Sequence, residues 1–179
     1  MDLHSFLSEK RSILIKKWRN QLIDTYPDDT QRFFRSEKDR FSNPVGYTLS
    51  EAVEGLFDEL TNPENTGKVA SLLDKIIRIR AVQDMKPSDA IGFVIQLKKI
   101  IRDELQGLTQ SNGLSEGIQE IESKIDNMAL LAFDVYTQCR QKIYEIRVNE
   151  VKNQVSGLLR RSNISIQSPD FEKKTESDN

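Results

Sequence analysis

Histidine and cysteine each occur once in these 179 residues, as His4 and Cys139. A zinc or iron site needs several such ligands to converge, so the chain has too few donors for a resident metal. A di-iron carboxylate bundle would show Glu-x-x-His pairs, and there are none. No Ser-His-Asp set can be assembled around one histidine beside a terminus. A glycine-rich phosphate loop is missing too. The single thiol excludes an internal disulfide and fits a reducing compartment, so the cytoplasm is the expected location. With 26 basic and 28 acidic residues the formal charge is −2, without the basic stripe a nucleic-acid binder needs. The longest apolar run, Met128 to Phe133, falls far short of the roughly 20 residues that span a bilayer. "MDLHSFLSEKR" has no apolar stretch of signal-peptide length. The expectation is therefore no catalytic residues, no metal and no cofactor, with neither nucleic acid nor membrane as partner.

What is present is helical patterning, with only 8 Gly and 5 Pro to interrupt it. Leu3, Leu7, Leu14, Trp18 and Leu22 share one face, which predicts a first helix of about twenty residues. Pro27 ends it, and Asp28, Asp29 and Thr30 can cap a short helix carrying Phe33 and Phe34. "FRSEKDRFSNPVG" breaks the chain, and Pro44 opens a helix striped by Val45, Leu49, Ala52, Val53, Leu56, Phe57 and Leu60. "TNPENTG" reads as a loop. A helix over Val69 to Gln83 follows, then one from Pro87 with Ala90, Phe93, Val94, Leu97, Ile100 and Ile101 buried. Gly92 lies inside that helix, where it costs about 1 kcal/mol against alanine; a close helix crossing is the expected reason. "GLTQSNG" forms the next turn. The fold class is thus all-α, with about six helices.

One stripe ends oddly. Val69, Leu72, Leu73 and Ile76 point to the core, but the next steps on that face are Arg80 and Gln83. Two readings are open. Arg80 could be a cation at a helix C-terminus, favoured by about 0.3–1 kcal/mol, its stem on apolar surface and its head in water or paired with Asp84 or Asp89. Alternatively Arg80 and Gln83 wall a ligand pocket or a partner patch, and a carboxylate must then meet the guanidinium. Arg78, four residues after Asp74, reads as a solvated ion pair.

From Leu114 onward a heptad-like seam runs through Ile118, Ile121, Ile125, Met128, Ala132, Val135 and Cys139. Cys139 on that seam reads as a buried structural thiol. A single helix of about 45 residues would be some 65 Å long and would project from a domain whose radius of gyration is near 16 Å. Its later part carries Ile143, Ile146, Val151, Val155 and Leu158, an apolar stripe that a second copy would bury. Lys142, Glu145, Arg147 and Glu150 could flank such a homodimer seam. The competing reading is a break near "YTQCRQ" and a return onto the domain. Residues 1–162 form the expected domain, and the polar 163–179 a disordered tail.

The segments "KKWRNQLIDTYP", "FFRSEKDRFSNPVGYTL" and "IRIRAVQDMKPSDAIGFVIQLKKIIRDEL" together resemble the RsbRD N-terminal domain family, the sensor modules of RsbT co-antagonist proteins. The resemblance covers most of residues 10 to 105. It implies a globin-like helical fold acting as a signal-input module in cytoplasmic stress or redox signalling. RsbR-type proteins carry a C-terminal STAS domain that passes the signal on. No such domain follows the long helix here, so a stand-alone input module with a separate output protein is expected. Two rival functions remain: a small-ligand-binding protein built on Arg80 and Gln83, and an accessory subunit docked to a respiratory assembly. The globin-like fold is expected to hold no haem, since Val69 to Gln83 offers no histidine to the iron. Absorbance of natively purified protein should accordingly lack a Soret band at stoichiometric haem content; such a band would overturn this.

Overall fold

Lys10 divides what the pattern predicts as one N-terminal helix. In the computed structural model, which describes residues 2–36, 41–62, 67–106 and 112–161, α1 (Leu3–Glu9) stops there and α2 (Arg11–Asp24) begins. Asp2 caps α1 by accepting from the Ser5 N–H at 2.7 Å. The split has a packing reason: on a straight helix Phe6 would lie about a quarter-turn from the Leu3–Leu7–Leu14 stripe, and here it is buried. Then follow α3 (Asp28–Ser36), α4 (Pro44–Thr61), α5 (Val69–Val82), α6 (Pro87–Leu105) and α7 (Asn112–Arg161). Among the described residues there are seven helices and no strand, so the chain is all-α. None of these helices is long and apolar enough to cross a membrane. The expected tail 163–179 lies outside the described residues, as do parts of the expected breaks at 34–46, 61–67 and 107–113.

The chain divides into two units, 1–141 and 142–179. In the first, Trp18 joins α2 to α6: its indole N–H donates to the Phe93 carbonyl at 2.7 Å and its ring lies 6.1 Å from the Phe93 ring. Phe6, Leu14, Leu22, Leu49, Leu56, Phe57, Leu73 and Ile76 fill the space around them. Asn43 welds α3 to α4. Its Oδ1 accepts from the Gly46 N–H at 2.8 Å, while Nδ2 donates to the carbonyls of Phe33 and Phe34 at 3.3 and 3.4 Å. The α7 portion of this unit buries Ile121, Ile125, Met128, Ala132 and Tyr136. The last step is four residues, from Ala132 to Tyr136, with Val135 half-buried. A 3.6-residue helix on a globular core drifts this way, whereas the predicted heptad seam would not.

The second unit, as far as it is described, is the remainder of α7. Residues 142–161 are exposed apart from Ile143 and Leu159, which are half-buried.

The expected crossing at Gly92 is not there: a Cβ added at Gly92 meets nothing within 4 Å. Close approach occurs instead at Gly117, where a Cβ would come within 2.9 Å of the Leu3 Cβ. Opposite signs should follow. Gly92→Ala should stabilise by about 0.5–1 kcal/mol through helix propensity alone, while Gly117→Ala should destabilise because α1 has to shift. Denaturant melts of the two variants check this, and a destabilised Gly92→Ala would refute it.

Candidate functional site: a buried guanidinium

The stripe on α5 buries Leu73, Ile76, Ile77, Arg80 and Ala81, and Arg80 is as fully buried as its neighbours, at 0% exposure. The snorkelling reading is thereby overturned, because the head does not reach water. The reason lies just past the helix. α5 ends at Val82, and Asp84 takes a left-handed conformation with φ of 60°. The chain doubles back so that the Met85 N–H bonds the Arg80 carbonyl at 3.3 Å and the Met85 sulfur faces Arg80 Nε at 3.4 Å. Thr25, capping α2, donates its hydroxyl to the Leu22 carbonyl at 2.7 Å and accepts from Arg80 Nη2.

Aromatic faces close the remaining sides. Arg80 Cζ lies 5.3 Å from the Tyr26 ring centroid and 5.5 Å from that of Phe93. Tyr26 is itself held edge-on to Phe34 at 5.1 Å. What is missing is a counter-charge: among the described residues no carboxylate forms an ion pair with Arg80, and its buried Nη1 has no hydrogen-bond partner. The buried Tyr26 hydroxyl is likewise unmatched. Burial lowers the pKa of the Arg80 guanidinium, opposed by Tyr26 and by Asp89 at longer range. Burial pushes the Tyr26 phenol up, and the Arg80 charge pulls against it. Desolvated cation–π contacts are worth about 2 kcal/mol each. An unpaired buried ion costs several kcal/mol, so the rings offset only part of it.

Of the two carboxylates offered by the sequence, Asp89 is exposed and acts on Arg80 only at longer range, without an ion pair. Asp84 pairs with Arg140 at 2.5 Å, and Asp74 with Arg78 at 2.7 Å as the i,i+4 spacing implies. Gln83 is the exposed C-cap of α5. Its N–H still bonds the Ile79 carbonyl at 3.3 Å, but Gln83 is exposed while Arg80 is buried. Thr25, Tyr26, Met85 and Phe93 were the missed members of the cluster. Only Tyr26, an aromatic fixed beside Pro27, gave any local sign of a special position. His4 is exposed on α1, and Cys139 is half-buried with Sγ 3.9 Å from Asp74 Oδ1. Among the described residues no cluster of His, Cys, Asp or Glu could hold a metal.

The turn beside Arg80 is clamped to α7. Tyr136 donates its hydroxyl to the Met85 carbonyl at 2.5 Å, and Arg140 adds a 3.0 Å bond to the Ala81 carbonyl.

The family model described as the RsbT co-antagonist protein rsbRD N-terminal domain matches residues 13–151. An uncharacterised protein of Archaeoglobus fulgidus is 31% identical over 144 residues, covering 78% of this chain and 83% of that protein. No solved structure is significantly similar.

Replacement at Arg80 should reverse the usual order of conservatism. Lysine keeps the charge but loses the fork and the ring stacking, and its ammonium is harder to desolvate. Arg80→Lys should lose about 2 kcal/mol or more, near 5 °C in Tm. Arg80→Met removes the unpaired charge at similar volume and should sit above Arg80→Lys. Thermal melts decide, and lysine melting at or above methionine would mean that the head is solvated.

Proposed function

The chain belongs to the family of RsbT co-antagonist RsbRD N-terminal domains, and from that premise we propose that it is a non-enzymatic signal-input domain working through protein–protein contact. The setting is cytoplasmic stress or redox signalling, with a globin-like helical arrangement that holds no haem. The input domain spans 1–162, and 163–179 forms its polar tail.

The observation that carries this reading is a row of exposed apolar residues on 142–161. Tyr144, Val148, Val151, Val155 and Leu158 are between 48% and 64% exposed and follow one another at steps of 4, 3, 4 and 3. That is a heptad seam with valine at each a position. Ile143 and Ile146 fall off it: at 100° per residue Ile146 is more than a third of a turn from Val151. The seam we propose therefore keeps Val151, Val155 and Leu158 and takes Tyr144 and Val148 in place of the other two.

Charge argues for a second copy in antiparallel orientation. In a parallel pair Arg147 would face Lys152 of the other copy, twice over, and like charges would repel. Run antiparallel, with Val148 against Val151 of the other copy, Glu145 meets Lys152 twice and Arg147 meets the neutral Gln154. Such a pairing is a closed two-fold contact that leaves no open end to propagate.

Light scattering after size exclusion should give twice the 20.6 kDa chain mass at micromolar concentration. Val148→Glu with Val155→Glu should yield a monomer of unchanged helical signal, and Ile146→Glu should leave the dimer intact. Lys152→Glu weakens an antiparallel pair but strengthens a parallel one, so it fixes the orientation. A monomeric parent protein would sink the dimer.

A further inference from the structure

We propose that Arg80 and Tyr26 form a buried site for a small monovalent anion, of the class of chloride, nitrate or formate. The inference goes beyond the contact reading above. It concerns the first unit alone and stands whether or not the chain dimerises.

Three features converge on it. First, a full positive charge sits at 0% exposure with no ion pair among the described residues, and arginine cannot shed its proton to escape the cost. Asp84, the acidic residue nearest in sequence, is taken by Arg140, and the exposed Asp89 acts only at longer range. Second, the polar atoms left over are matched in kind. Arg80 Nη1 offers only N–H donors and Tyr26 an O–H, both buried, both unsatisfied and both in one cluster. A species that only accepts, and carries one negative charge, answers both needs at once. A water molecule could accept from the same two groups but would leave the charge unbalanced.

Third, the surroundings set the valence. Tyr26, Phe93 and the Met85 thioether bound the guanidinium. These walls offer no further donors, so a divalent oxyanion such as sulfate or phosphate would lose its hydration without replacement. A ligand of a few heavy atoms with a single charge loses far less. A planar oxyanion can also accept both Nη1 protons side by side. Met85 is half-buried and unbranched, and its rotation gives such an ion a way in.

An anion that binds only the folded state raises Tm with concentration and saturates. The full chain should therefore be melted in sodium chloride, nitrate, formate, sulfate and gluconate at one fixed ionic strength, so that surface screening is constant. At least one of the three small monovalent anions should raise Tm saturably by about 3 °C or more over gluconate, which is too bulky to enter. Sulfate should behave as gluconate does. Arg80→Met should abolish the difference. Tyr26→Phe, which removes one donor and serves if Arg80→Met does not fold, should weaken the apparent affinity about fivefold. Equal melting in all five salts would overturn the site, as would a difference that persists undiminished in both variants.

Discussion

The Phe93 position on α6 is where the first unit is held together. Its carbonyl takes the Trp18 indole N–H, its ring packs beside the Trp18 ring, and that same ring is one of the two faces of the Arg80 cradle. Three helices, α2, α5 and α6, thus meet at one aromatic side chain. Both Trp18 and Phe93 are almost wholly buried, so neither can move without opening a cavity that costs several kcal/mol. The consequence for Arg80 is geometric. The rings cannot swing aside, and Met85 and Thr25 hold two nitrogens of the guanidinium. A buried charge with one unsatisfied nitrogen is what that rigid frame leaves behind.

Legibility from sequence followed the range of the forces involved. The stripes on α4, α5 and α6 came out correctly because amphipathic periodicity is a local property and the core merely uses it. Loss of the single N-terminal helix was harder to see. It turns on Phe6, whose burial depends on how α1 packs against the rest and not on its neighbours in the chain. Gly92 and Gly117 show the same limit from the other side. Both are glycines in helices, and only the tertiary contact of Leu3 with one of them tells which is a crossing. At the candidate site the sequence marks Arg80 as anomalous, yet leaves its head open between water, a nearby carboxylate and a pocket wall. Tyr26 and Phe93 lie 54 and 13 residues away in the chain, and nothing local records that their rings converge on it. Gln83 follows Arg80 on the α5 stripe in sequence, yet it lies exposed at the C-cap, just before the left-handed Asp84.

The long helix carries two patterns of different origin, and a single periodic reading merges them. Up to Tyr136 its apolar residues answer to the packed core of the first unit, with the drift of a 3.6 period. Tyr144 through Leu158 keep the 4–3 alternation of a heptad, which a straight helix on a globular surface has no cause to maintain. Counting on from the buried seam leads to Ile143 and Ile146. Counting within the exposed stretch leads to Tyr144 and Val148. Angular spacing from Val151 separates the two choices, since Ile146 is as exposed as Tyr144 and Val148.

What ties the Arg80 cluster to α7 is the short turn after α5. Met85 contributes its sulfur to Arg80 and its carbonyl to Tyr136, so one residue touches both the guanidinium and the long helix. Asp84, forced into the left-handed region, is held there by Arg140, which also reaches the Ala81 carbonyl. Any ligand that displaces Met85 from Arg80 acts on a segment whose other side is bonded to residues 136 and 140 of α7. Two clamps on a strained turn of this kind favour discrete arrangements over gradual ones, because a hydrogen bond and a close ion pair are either made or lost. The chemical difference between a filled and an empty Arg80 site would therefore be read first at Tyr136 and Arg140, before any change in the packed core around Phe93.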